Sequence, residues 1–208
     1  MASLLYEEDT YSPLDHHHQT PEKTVLVGIH GFASSGKDTS GNALIARRGY
    51  ERVSFAEPLR ELSFFVNPVV RWDYYGNSWS LNEVVEDLGY EEAKKVGSTR
   101  HFLQRLGEGV RNILGESTWV DAAMAKVQPG GKYVFTDVRF ENEALAVRSR
   151  GGMIIEVVRP GIEGVNDHVS EKRLPDHLID VTIENDGTIE DLAERINNCA
   201  IWAEATAR

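Results

Sequence analysis

The chain has 208 residues, 33 acidic against 22 basic, giving a formal net charge of −11; 41% of its residues are hydrophobic and one is cysteine. That composition predicts one globular domain able to bury a core without staples. The acidic balance excludes a general nucleic-acid binder, which needs a basic face, and the lone Cys199 excludes a disulfide scaffold. No apolar run is long enough to cross a membrane, and the N-terminus lacks the basic-then-apolar order of a secretory signal, so the expected compartment is the cytoplasm.

Residues 1–23 show neither helical nor strand periodicity. They hold five acidic residues, two prolines and His16, His17 and His18, and predict an irregular tail. The histidine triplet is a compositional signal for metal binding, outweighed by the simpler solvated tail. Thr24–His30 is β-branched and apolar and predicts a buried parallel strand. The loop Gly31–Thr39 follows, with a helix from Lys37 to about Arg47 closed by Gly49. Arg52–Phe55 is a second short strand, and Pro58 suits the first turn of the next helix.

From about 57 to 130 the pattern is mainly helical. Phe102, Leu103, Leu106, Val110, Ile113 and Leu114 fall on one face of an amphipathic helix. Pro129–Gly131 turns into a strand at Lys132–Phe135. A helix at Asn142–Arg150 stops at Gly151–Gly152, and Met153–Val158 is another buried strand. Arg159–Pro175 is polar and irregular, Ile179–Ile183 is a last strand, and Asn185–Gly187 is a turn. Thr188 with Asp191 forms a capping box opening a terminal helix whose inner face is Ile189, Leu192, Ile196, Cys199 and Ala203. Strands alternating with helices predict an α/β fold with a doubly wound parallel sheet of about five strands.

The strongest motif is Gly31-Phe32-Ala33-Ser34-Ser35-Gly36-Lys37-Asp38-Thr39, set between a buried strand and a helix as a P-loop NTPase requires. Its glycines let backbone N–H groups curl around an anion, the helix N-terminus adds the positive end of its dipole, and Lys37 adds a mobile charge for β- and γ-phosphates. Asp38 follows the lysine where Ser or Thr is usual, and the hydroxyl comes one place later at Thr39. Asp38 suits a helix-capping acid, a water-mediated magnesium contact, or both.

Asp137 and Arg139 lie at the carboxyl end of a predicted strand, where ligands bind in open α/β sheets. There an acid can hold magnesium directly or through water, and a guanidinium can bridge phosphates. A bare strand end would make the same two residues a surface ion pair. Arg60 is either an exposed helix arginine or a clamp on an acceptor phosphate. Gln104 and Arg111, seven residues apart, share a helical face; an amide can read a base edge and an arginine can hold a phosphate. Trp119 belongs to the same cluster. Arg159, His168, Lys172 and Arg173, with interspersed glycines, form a basic loop that could act as a lid or be an ordinary exposed loop.

The strings GKDT, SFAEPLRE, RHFLQRLGEGVRNILGESTWV, FTDVRFENEA and HVSEKR occur in this order and resemble those of phage-type deoxynucleoside monophosphate kinases, over about residues 24–195. Two departures are visible: Gly107-Glu108-Gly109 where the family carries Thr-Glu after the first glycine, and Glu141 where proline is common. The resemblance implies transfer of the γ-phosphoryl of ATP to a deoxynucleoside monophosphate, with Mg²⁺ and no covalent intermediate. It implies a kinase domain over 24–208, a helical acceptor-binding region at about 57–130 and a short lid at about 159–175. Gly31, Ala33, Ser34, Ser35, Gly36, Lys37, Asp38 and Thr39 would hold the donor. Lys37, Asp137, Arg139 and Arg159 would be catalytic, and Thr39 and Asp137 would hold the metal. Arg60, Gln104, Arg111, Trp119 and Arg139 would bind the acceptor, with His168 and Arg173 on the lid. A homodimer is left open, and neither nucleic acid nor membrane is an expected partner; phage encoding would place the enzyme in the host cytoplasm. The alternatives are another small-molecule kinase, of dephospho-coenzyme A or phosphomevalonate type, and a nucleotide-binding switch; the N-K-x-D motif of a GTPase switch does not occur.

Overall fold

The computed structural model describes residues 23–162 and 173–207. The chain opens with β1 (Val25–His30), all six residues of which are buried, as a central parallel strand requires. After the loop comes α1 (Lys37–Arg48), which ends at Gly49 in the left-handed region with its N–H returned to Leu44 and Ile45. Then follow β2 (Glu51–Val53), α2 (Glu57–Val66), β3 (Val69–Trp72), β4 (Ser78–Ser80), α3 (Leu81–Leu88), α4 (Tyr90–Ala93), α5 (Gly97–Leu114) and α6 (Thr118–Met124). The second half holds β5 (Lys132–Phe135), α7 (Glu141–Ser149), β6 (Met153–Val158), a single 3₁₀ turn at Asp176–Leu178, β7 (Val181–Glu184) and α8 (Ile189–Thr206).

The main sheet has the order β2-β5-β1-β6-β7, with every pairing parallel. The doubly wound five-stranded expectation is therefore met. β1 lies at its centre between β5 and β6, so the chain diverges to either side beyond its carboxyl end. That divergence opens a crevice at the phosphate loop. One face of the sheet packs Val27, Ile29 and Ile155 against Leu44 of α1 and Leu192 and Ile196 of α8. The other packs Leu26, Phe135 and Ile154 against Val120 of α6 and Ala144 and Val147 of α7.

The mainly helical expectation for 57–130 is met, with one addition. β3 and β4 form an antiparallel hairpin, which packs with α3 and α4 around a separate small core of Val70, Leu81, Val84 and Ala93. The apolar stripe of α5 is only partly used. Leu103 is buried, whereas Ile113 and Leu114 are 81% and 69% exposed where the helix runs past its packing partners. β2 ends at Val53 because Ser54 and Phe55 turn away to meet Asp137. β7 begins at Val181, two residues later than the pattern predicts, because the 3₁₀ turn occupies the chain before it. Most of the predicted tail and residues 163–172 of the predicted lid, His168 and Lys172 included, lie outside the described residues.

Candidate active site

The loop after β1 has the backbone of an anion cradle. Gly31 has φ +148, and a Cβ there would lie 2.4 Å from the Val157 carbonyl oxygen. Gly36 has φ +112, and a Cβ would lie 2.7 Å from the Asn185 amide; both positions require glycine. Ser34 is also left-handed, at φ +63. The Lys37 ammonium folds back over the loop and donates to the Phe32 carbonyl at 2.6 Å. Burial pushes its pKa down and the Arg139 charge pushes it further, against the pull of Asp38.

Ser34, Gly36, Lys37, Asp38 and Thr39 line a cleft of about 450 Å³ with Arg159, closed on its far side by Asn185, Gly187, Ile189 and Leu192. Thus Arg159 lies beside the phosphate loop. Gly31, Ala33 and Ser35 shape the loop without lining this cleft. Asn185 donates to the Ser35 carbonyl at 2.8 Å and so fixes the loop from β7. Asn185, Gly187 and Ile189 were not among the expected site residues; the turn at the carboxyl end of the last strand was the signal for them. Asp38 does not cap α1. Its carboxylate accepts from Arg52 and from Thr136 Oγ1, each at 3.2 Å, and ties the first helical turn to the ends of β2 and β5.

The turn after β5 is pinned at almost every residue. Asp137 accepts from Ser54 Oγ at 2.6 Å and from the backbone N–H groups of Ala56 and Phe55 at 3.0 and 3.2 Å. The Val138 carbonyl meets His30 Nδ1 at 2.9 Å. Glu143 Oε2 accepts the N–H groups of Arg139 and Phe140 at 2.6 and 3.0 Å. Burial raises the Glu143 carboxyl to about 7, overcoming those two donors. Amid these ties the Arg139 guanidinium has no hydrogen bond or ion pair among the described residues. Besides the expected magnesium contact, direct or through water, Asp137 has a structural role here. Both its oxygens already organise the turn between β2 and α2.

The acceptor candidates are only partly brought together. The Arg111 guanidinium lies over the Phe140 ring at 5.2 Å, beside the pinned turn. Arg60 pairs with Glu57 and lies 5.6 Å from the Tyr90 ring, which also carries Lys94 at 5.0 Å. Lys94 and Gln104 line a second cleft, of about 340 Å³, with Glu91, Lys95, Arg100 and Leu103. Gln104 and Arg111 therefore serve different surroundings of one helix, separated by about 10 Å along its axis. The Trp119 indole N–H donates to the Gly107 carbonyl at 3.1 Å and fastens α6 to α5.

Arg173 is also reassigned. Its guanidinium forks onto Glu156 at 2.5 and 2.8 Å and reaches Asp176, so the expected lid cation is an anchor for a nearly buried carboxylate. Burial pushes Glu156 up, but Arg173 and Thr182 more than offset this and hold it below its ordinary value.

A parallel sheet whose central strand runs into a phosphate loop, with a lysine and an arginine converging there, defines a P-loop phosphotransferase. The family model for deoxynucleotide monophosphate kinases matches residues 78–196. A protein of Acanthamoeba polyphaga mimivirus, named as a candidate deoxynucleotide monophosphate kinase, is 31% identical over 186 residues, 84% of this chain and 95% of its own length. The deoxynucleotide monophosphate kinase of Enterobacteria phage T4 is 39% identical over 107 residues, 49% of this chain and 44% of the phage protein. Among solved structures, shikimate kinase from Acinetobacter baumannii covers 86% of this chain and 93% of its own at 12% identity, with a TM-score of 0.42. The chain belongs to the deoxynucleotide monophosphate kinase family.

Proposed function

We propose that this protein transfers the γ-phosphoryl group of ATP to a deoxynucleoside monophosphate, giving ADP and the deoxynucleoside diphosphate for DNA precursor synthesis. One observation carries this reading. Lys37 and Arg159 line the same cleft at the phosphate loop, and the Arg139 charge also lowers the pKa of Lys37. Two cations held together at a phosphate loop are costly until a polyanion fills the gap between them.

The loop N–H groups and Lys37 would bind the β- and γ-phosphates, with Arg159 over the cleft and the Asn185–Ile189 turn against the base. An acceptor phosphate oxygen then attacks the γ-phosphorus in line, the bond from that phosphorus to the bridging oxygen breaks, and ADP leaves. Arg139 would neutralise charge between the two nucleotides as it moves. This chain supplies position and fixed charge, and the reaction needs little else. The oxygen donors at this edge suit a hard cation. Thr39 would supply a direct ligand and Asp137 a contact through water. A magnesium ion there would offset charge on the donor phosphates.

In this reading residues 24–208 are the kinase domain, about 57–130 receive the acceptor through Arg60, Gln104 and Arg111, and about 159–175 form the lid, rooted at Arg159. No helix among the described residues is long and apolar enough to cross a membrane, and a cytoplasmic site fits the free nucleotides the reaction uses. A coupled ADP-release assay over the common nucleoside and deoxynucleoside monophosphates, with dephospho-coenzyme A and phosphomevalonate included, tests the proposal. ADP should appear only with a deoxynucleoside monophosphate or its close ribose analogue. Turnover confined to either of the other two acceptors would overturn it.

A further inference from the structure

We infer that His30 is a positioning residue that holds three parts of the site in one register: the phosphate loop, the turn carrying Arg139, and the chain just beyond residue 172. Its effect on rate rests on the proposed phosphoryl transfer; its geometry does not.

His30 is the last residue of β1 and is 4% exposed. The next residue, Gly31, opens the phosphate loop. His30 Nδ1 lies 2.9 Å from the Val138 carbonyl, one residue before Arg139. The backbone N–H of Leu174 points at His30 Nε2 from 3.2 Å. An amide N–H can only donate and a carbonyl can only accept, so one tautomer satisfies both partners: Nδ1 carries the proton and Nε2 accepts. Burial lowers the pKa of the imidazole and favours this neutral form; the bond to Val138 and the Glu156 charge oppose that shift, and Lys37 and Arg173 reinforce it. Glu156 is the residue paired with His30 across β1 and β6, and it is held by Arg173, the neighbour of Leu174. Leu174 itself is buried in the same core as Phe135 and Val138.

One ring thus connects segments 108 and 144 residues away in sequence. The bond to Val138 sets the height of the Arg139 turn relative to Lys37. The bond to Leu174 sets where the chain returns to the core. Displacing the turn by a fraction of an ångström would shift Arg139 relative to the phosphates, an error that costs rate more than donor affinity.

The two bonds can be cut separately. In His30→Asn the amide nitrogen stands about where Nδ1 does and can still donate to Val138. In His30→Gln the amide oxygen stands about where Nε2 does and can still accept from Leu174. We expect kcat to be about tenfold lower in His30→Gln than in His30→Asn, with KM for ATP within about twofold of wild type in both. Hydrogen exchange at the Leu174 amide should be faster in His30→Asn than in His30→Gln. In the wild-type protein, long-range ¹H–¹⁵N spectra of His30 should show the proton on Nδ1. That spectrum decides the geometry even where a variant fails to fold. A proton on Nε2, or two folded variants with equal kcat and equal Leu174 exchange, would overturn the inference. An Nδ1 proton and a protected Leu174 amide in a protein that phosphorylates no deoxynucleoside monophosphate would instead count against the proposed function and leave the geometry standing.

Discussion

Around the phosphate loop, all six residues of β1 are buried, Asp137 accepts three hydrogen bonds, and Glu143, His30 and Asn185 each fix a backbone segment. Between residues 57 and 130 the molecule is built differently. The hairpin and its helices enclose only four fully buried apolar residues, and Phe65, Trp72, Tyr74 and Tyr75 are 88%, 63%, 97% and 87% exposed. The surroundings of the phosphate loop are therefore densely tied together, and the 57–130 region has less holding it in place. That division suits phosphoryl transfer, in which donor phosphates need a fixed cradle and the acceptor must be brought to them. Gln104 and Arg111, by contrast, sit in separate surroundings.

The comparison predicts where substitutions hurt activity and where they hurt stability. The largest effect should come from Lys37→Ala, which removes a preorganised charge from a formed cradle. Turnover should fall about 10²-fold or more with thermal stability little changed, measured by steady-state kinetics beside a melting curve. Asp137→Ala should act on the join between the two regions. Two backbone N–H groups and Ser54 lose their acceptor, at about 2 kcal/mol by denaturant unfolding. KM for the acceptor should rise and the magnesium dependence of the residual rate should weaken; an unchanged magnesium dependence would make Asp137 a structural residue only.

Arg173→Ala should cost stability more than rate. It strands the buried Glu156, yet the Arg173 side chain is 48% exposed, so the loss should be about 1–2 kcal/mol, below that of a fully buried pair. A rate loss with unchanged unfolding would instead restore Arg173 as a lid cation. Glu143 gives a smaller effect with a defined sign. Its carboxyl is raised from 4.5 to about 7 in the fold, so the stability it contributes is full below about pH 4.5 and is lost as pH rises through about 7. Glu143→Gln should flatten that slope in melting curves taken across this range. The smallest effect should be at the hairpin. Tyr74→Ser should change stability by less than about 0.5 kcal/mol, and a larger loss in denaturant titration would mean that this surface is covered.

The parts of the site legible in the sequence are those whose chemistry is local. Gly31, Gly36, Lys37 and Thr39 lie within one strand–loop–helix unit, and their spacing alone predicts the cradle. Asn185 reaches Ser35 across 150 residues, so only the sheet order brings it to the loop. Asp137 was legible as a residue at the ligand edge but not in its structural role, because Ser54, its partner, stands 83 residues earlier. Arg173 misled for the same reason: a basic residue in a polar stretch reads as solvated until Glu156 is placed beside it. The hairpin was hidden inside a long helical pattern. Its local signal was the Asp73–Asn77 turn, in which Asp73 accepts the N–H groups of Tyr75 and Asn77 and Gly76 takes φ +85.

The central claim is that a phosphoryl group passes from ATP to a deoxynucleoside monophosphate at the Lys37–Arg139 gap. It is tested most directly by following ATP labelled on its γ-phosphorus, with each deoxynucleoside monophosphate in turn, and separating the products by chromatography. The account predicts the label on the β-phosphorus of a deoxynucleoside diphosphate, equimolar with ADP, and its absence with Lys37→Ala. Label appearing only as inorganic phosphate, or remaining on ATP with every acceptor, would contradict it.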